Sequence, residues 1–360
     1  MADTAAATGL RVQRWDDKFF LEYLQQNLFS KFMGTNENSI IQVKEDLTKK
    51  KGDRITYALV NKLVNDATTG SDTLEGNEED MISRSHALTV TKRRNGVRVS
   101  EMEEQKSAIS LRNAARRTLM DWSMEDTRDL VISALGSING TAFASADATA
   151  RDVWAVDNVD RVLFGALKSN YSVTHATALA TLDNTADKLD AAKLSLMKRI
   201  ALSANPKVKP ITVEGGKRFY VVYAGNRTFR DLKTDAVITQ AQREVSIQMQ
   251  NNKLFQGGDI VWDGMIVHEV DDIPVYANLG AGAAVDVSPV FLCGAQALGL
   301  GWAKRWRSVT EIFDYQDKYG VAVESIMGIE KLTFGSGASD TGDLKDHGVC
   351  TGWFAAVGDA

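Results

Sequence analysis

The stretch SEMEEQKSAISLRNAARRTLMDWSMEDTRDLVISAL, residues 100–135, carries the most decisive local signal in the chain. Ser100 followed by Glu103 is a capping box, in which the Ser hydroxyl accepts from the Glu103 amide and the Glu carboxylate can reach back to the Ser100 amide. Downstream, Ala108, Leu111, Ala115, Leu119 and Trp122 recur every three or four residues, and Arg112, Arg116 and Arg117 lie off that stripe. The pattern predicts one long helix over 101–135, about 50 Å at ~1.5 Å per residue. Asp126 falls near the stripe and leaves room for a bend or an early stop.

Immediately upstream, DRITYALVNKLV (53–64) and ALTVTKRRNGVRV (87–99) show partial period-two alternation and are rich in β-branched residues, so both are expected as strands. Asn95-Gly96 is a turn signal inside the second. Between them, residues 66–80 hold six acids, no Lys or Arg, and Leu74 as nearly the sole apolar anchor. A strand pair joined by so polar a connection cannot bury both faces alone, which predicts a projecting hairpin stabilised by lying on something else.

Lys92, Arg93, Arg94 and Arg98 form the strongest local charge feature. On a strand such a run can be a solvated edge that discourages aggregation. It can equally meet the acidic segment of another copy, or packaged DNA. Aromatic residues do not interleave with it, so base stacking is not implied.

Residues 1–14 are rich in Ala and Thr. Trp15, Phe19, Phe20, Tyr23, Leu24, Leu28 and Phe32 then follow at helical spacing, a short aromatic-faced helix that can pack on its own domain or clasp a neighbour. Beyond residue 135, a short helix is expected around 159–167 and another over 185–203. A strand at 219–223, a helix near 235–249 and strands within 260–270 follow. Residues 293–306 read as a small-residue helix, 308–334 as a hairpin turning near 318–320, and 348–357 as a last strand. Interleaved helix and strand make the second half mixed α/β.

The composition is that of an ordinary globular chain of 360 residues, 44% hydrophobic and 25% charged, large enough for a core divided over two lobes. A formal net charge of −5 does not suit neutralisation of a nucleic-acid backbone, so any DNA contact should be weak and non-specific. Cys293 and Cys350 are too far apart to suggest a metal-binding pair and fit a reducing compartment. No apolar run approaches the ~20 residues of a membrane span, and the N-terminus lacks the pattern of a signal peptide.

Chemistry-bearing motifs are scarce. His86, His175, His268 and His347 are scattered, which argues against a metal site, and the glycine-rich pieces at 280–284 and 335–342 lack the Lys or helix start of a phosphate loop. Glu78-Glu79 and Asp271-Asp272 are sequence neighbours that point to opposite faces of an extended chain. Cys293, within FLCGA, reads as a buried inert thiol. Neither a cofactor nor an enzymatic activity is expected.

The detail of several stretches is similar to that of a known family. DLTKKKGDRITYALVNKL leading to LEGNEE (74–79), LRNAARRTLMDW (111–122), LFQGGDIVWDGMIVHE (254–269), GAQALGLGW (294–302) and DYQDKYGVAVESIMGIEKLTF (314–334) resemble the major capsid proteins of tailed bacteriophages, in particular N-four-like coat proteins. The resemblance runs from about residue 32 to 335. It implies an α+β chain with the Hong Kong 97 type phage capsid fold: an N-terminal arm (1–45), an extended β-hairpin loop region (46–100), a peripheral domain with spine helix 101–135 (101–204), an axial domain (205–305) and a return to the peripheral domain (306–360).

The function so implied is self-assembly into hexamers and pentamers of an icosahedral head around double-stranded DNA, in the host bacterial cytoplasm. Scaffolding protein, portal and a decoration protein would be partners, and no membrane is involved. The expected intersubunit contacts are Trp15, Phe19 and Tyr23 on the arm, Asp72, Glu75, Glu78 and Glu79 on the connection, and Arg93, Arg94 and Arg98 on the basic strand. A tail or decoration protein, or an enzyme with a non-local site, is the alternative.

Overall fold

The structure is a computed structural model and describes residues 28–48, 52–63, 65–213, 216–244, 260–335 and 342–359. The expected arm helix, with Trp15, Phe19 and Tyr23, lies outside the described residues. Only its end is seen, where Leu28–Phe32 form a 3₁₀ turn.

The chain divides into two compact units, one of residues 29–91, 129–303 and 327–360, the other of 1–28, 92–128 and 304–326. Taken in order, the strands are β1 (Met33–Gly34), β2 (Ile41–Lys44), β3 (Arg54–Val60), β4 (Ser83–Thr89), β5 (Thr91–Ser100), β6 (Val162–Phe164), β7 (Ile211–Thr212) and β8 (Arg218–Ala224). They continue with β9 (Ile260–Trp262), β10 (Met265–Glu269), β11 (Val287–Cys293), β12 (Leu298–Phe313), β13 (Lys318–Lys331), β14 (Thr333–Phe334), β15 (Lys345–Asp346) and β16 (Val349–Ala355). The helices are α1 (Glu101–Lys106), α2 (Leu111–Leu135), α3 (Ala148–Asp157), α4 (His175–Leu179), α5 (Ala191–Ser203), α6 (Asn226–Thr234) and α7 (Ala236–Glu244).

The larger unit is built on a mixed sheet of order β6-β16-β11-β8-β10-β9, with β7 beside β8. β11 and β16 are buried along their whole length, as the apolar runs VSPVFLC and VCTGWFA require of strands covered on both faces. One face takes Val222, Val290, Leu292 and Phe354 against Leu194, Met197 and Ile200 of α5 and Phe229 and Leu232 of α6. The other takes Phe164 and Trp353 against Trp154 of α3 and Ala178 and Leu179 of α4. α5 begins where Asp190 caps it, its Oδ1 accepting from Lys193 N at 2.9 Å.

The same unit carries the hairpin. β3 and β4 pair antiparallel, Arg54 opposite Thr89 and Val60 opposite Ser83, and Ile55, Tyr57 and Leu88 are buried with Leu332 and Phe334. Tyr57 donates to Gln42 O at 3.0 Å and Leu300 O at 3.1 Å, and burial pushes its phenol well above the usual range. The hairpin partner is therefore residues 83–89 rather than 87–99. The basic strand β5 belongs to a different sheet, of order β1-β2-β12-β13-β5.

Several local expectations change. No helix forms over 293–306: the chain leaves β11, turns through Gly294–Ala297 and enters β12. The small residues there serve close packing, since a Cβ on Gly301 would sit 2.7 Å from Ile55 and one on Gly299 2.9 Å from Tyr57. Around 159–167 the buried triplet Val162-Leu163-Phe164 is drawn into the sheet as β6, parallel to β16, and the helix, α3, lies just before it. The expected helix near 235–249 is seen as α7 up to Glu244; its last residues lie outside the described ones.

In the smaller unit, the helix predicted over 101–135 is interrupted. Ser100 does cap α1, accepting from Glu103 N at 3.4 Å, but Ser107 Oγ accepts from Ile109 N at 3.2 Å and Ser110 Oγ from Asn113 N at 3.5 Å. These hydroxyls end one helix and start the next. Asn95-Gly96 makes no turn: Gly96 stays in β5 because its Cβ position lies 3.2 Å from Ala322 Cβ of β13. The β12–β13 hairpin turns at Asp314–Asp317, earlier than expected, through left-handed Asp314, Tyr315 and Gln316.

Candidate subunit interface

Within the smaller unit, α2 packs on one face of the strands. Leu119 is buried with Val321 and Val323 of β13 and touches Trp306 of β12. Trp122 and Trp306 meet edge to face with centroids 5.8 Å apart, and Trp306 Nε1 donates to Thr127 Oγ1 at 3.2 Å. Arg112 lies over the Tyr319 ring, 3.4 Å from its centroid. Arg93 of β5 faces the same helix and donates from Nε to Oδ2 of Asp126 at 2.6 Å and from Nη2 to Oδ1.

Alternation then sends the next residues to the opposite face. There Glu324, its side chain 12% exposed, receives Lys92 at 2.9 Å, Lys304 at 3.2 Å and Arg307. Lys92, Arg307 and Lys304 hold its carboxyl down at about 2. Lys318 pairs with Asp314 and lowers that carboxyl too, with a smaller contribution from Arg98. Arg94 is exposed and makes no ion pair among the described residues.

In the larger unit the connection between β3 and β4 is almost wholly exposed. Its base is closed by Asn61 N donating to Ile82 O at 2.8 Å. Glu79 accepts from Asn65 N at 2.8 Å and Glu78 from Gly76 N at 2.7 Å, so both shape the connection, whereas Asp72 and Glu75 carry no side-chain ion pair among the described residues. Leu63, Leu74, Met81 and Ile82 are exposed beside them.

The residues expected at contacts thus separate. Arg93 is engaged by its own chain, Arg94 and Arg98 lie on an open face, and the four acids lie on an open connection. Sequence reasoning missed Arg305, Arg307 and Glu324. The alternation in WAKRWRSV (302–309) could have found them, but reading the preceding residues as a helix concealed it. Among the described residues no cluster of His, Cys, Asp or Glu could hold a metal ion.

A small helix-backed sheet and an anchored hairpin with an exposed charged connection describe a building block, and the comparisons with known proteins agree. The chain belongs to the phage capsid protein family, whose model matches residues 3–355. A curated relative is the major capsid protein of Pseudomonas phage KPP25, 28% identical, with 95% of this chain and 94% of the relative covered. Among solved structures, the cyanophage Pam1 capsid superposes with a TM-score of 0.88 at 34% identity, all of both chains covered. The Ralstonia phage GP4 capsid has the same fold, with a TM-score of 0.78 at 23% identity over the full length of both. The fold is the Hong Kong 97 type, and the chain's function is that of a phage major capsid protein, a structural component of the virion.

Proposed function

We propose that copies of this chain associate as hexamers and pentamers that tile an icosahedral head around double-stranded DNA. The carrying observation is the hairpin: a rigid base, fixed by Tyr57, presents a connection that exposes acids together with Leu74 and Met81 and has no core of its own. Such a piece gains by burial against another copy. The arm residues Trp15, Phe19 and Tyr23, the acids Asp72, Glu75, Glu78 and Glu79, and the cations Arg93, Arg94 and Arg98 are the proposed contact groups, Arg93 acting through its hold on Asp126.

On this reading 1–45 is the arm, 46–100 the extended loop region, 101–204 the peripheral domain, 205–305 the axial domain and 306–360 the return. Scaffolding protein, portal and a decoration protein are the partners in the host cytoplasm, contact with packaged DNA is weak, and the chain performs no covalent chemistry. The narrower N-four-like affinity rests on the stretches quoted above. Sedimentation of the expressed chain, alone and with its scaffold, followed by negative-stain imaging, tests the proposal. Rings, sheets or closed shells are expected; a monomer or small oligomer under both conditions would refute it.

A further inference from the structure

The sheet face turned away from α2 is basic. Arg93, Trp306, Val321 and Val323 point toward the helix, so alternation places Lys92, Arg94, Arg98, Arg305, Arg307 and Lys318 on the other side. The contact between Gly96 and Ala322 confirms that these even-numbered positions of β5 and β13 share that side. Only Glu311 and Glu324 oppose the six cations there. Glu324 gathers Lys92, Lys304 and Arg307 around one carboxylate, which orders the cations without neutralising the face.

We propose that this face is the seat for the acidic connection, residues 61–82, of a second copy. The inference rests on the shell reading above and assigns both halves of one of its contacts. Complementarity of charge carries it: the connection has six carboxylates and, as its basic residue, Lys62 alone. Apolar groups match as well, with Val309 and Phe313 exposed on the face and Leu74, Met81 and Ile82 on the connection. Two different patches, one on each copy, make a heterologous contact, the kind that closes into rings. Pairs of this sort are individually weak and screened by salt, so the contact can form and correct itself before many copies lock it.

The test uses the full chain and a labelled peptide of residues 61–82. The peptide should bind the wild-type chain, and the affinity should fall about tenfold or more for Arg94→Glu with Arg98→Glu, whose melting temperature stays at the wild-type value. The same variant should yield few particles, and adding Glu75→Lys with Glu78→Lys in the same chain should restore them. Equal peptide binding to both chains, or none to the wild type, overturns the inference. So do particles formed in normal number but with reduced DNA content, which would make the face a seat for the genome. Peptide binding as expected from a chain that builds no shells would retain this contact and refute the shell reading.

Discussion

Arg93 and Asp126, thirty-three residues apart, form a two-point pair on the helix side of the small sheet, with 2.6 Å between Nε and Oδ2, and their side chains are 34% and 9% exposed. The neighbouring Arg94 points the other way, into solvent.

Substituting these adjacent arginines should therefore have different consequences. Arg93→Ala strands a carboxylate that has little access to water and should cost about 2 to 3 kcal/mol, the scale of hydrogen bonds to charged groups. Arg94→Ala should change folding stability by less than about 0.5 kcal/mol while reducing assembly. Thermal melts with particle counts check both, and a matched loss of melting temperature would show the face assignment to be wrong.

Lys331 and Asp346 are buried in the larger unit, Nζ to Oδ2 at 2.7 Å, with Trp154 Nε1 donating to the same oxygen at 3.2 Å. Asp346→Ala leaves an ammonium without its partner and should destabilise by about 3 to 5 kcal/mol. The paired change Lys331→Met with Asp346→Leu should cost clearly less, because no charge remains buried. Denaturant midpoints of the two variants decide it, and equal losses would count against the argument.

His175 lies among Phe143, Trp154, Phe164 and Trp353, and burial, with Arg151 adding to it, pushes its imidazole down to about 4. His347 is also held at about 4 by burial and by Arg161 and Lys209. Since the unfolded imidazole titrates near 6.5, the unfolded chain binds protons first as the pH drops. The stability contributed by the neutral rings is complete above about pH 6.5 and is lost progressively toward pH 4. The melting temperature should fall across that window, and His175→Phe should flatten the fall. A melting temperature constant from pH 7 to pH 4 would contradict it.

Cys293 and Cys350 sit on neighbouring strands, but their partners across the ladder are Val349 and Leu292, so the two sulfurs point to opposite faces of the sheet. Burial raises both thiols, Cys350 to about 12. Neither should react with a water-soluble disulfide reagent in the folded chain, and both should react in guanidinium. Rapid labelling of the native chain would show that β11 or β16 opens readily.

Gly328 of β13 allows close approach of the hairpin, since a Cβ there would lie 2.2 Å from Thr89 O, a backbone atom that cannot swing away. Gly328→Ala should cost about 1 to 3 kcal/mol, as overpacking does, and should expose the hairpin to proteolysis. Wild-type cleavage rates and melting temperature would rule this out.

Much of the architecture could be read locally. The Ser100 cap, the helical stripe through Leu119, the strands at 54–60, 218–224 and 349–355, and the exposed acidic connection all depend on patterns spanning a few residues, and the sequence by itself determined them. The quoted stretches also determined the family. What the tertiary structure decided are matters in which near neighbours have no vote. Small residues at 294–301 fit a helix or a closely packed strand equally well, and the approach of Tyr57 and Ile55 chose the strand. Val162-Leu163-Phe164 had no preference strong enough to resist a place beside β16. The division of one basic run into an inward Arg93 and an outward Arg94 followed from the packing of α2 on the sheet, because period two says that adjacent side chains diverge but only a packed partner says which of them is buried.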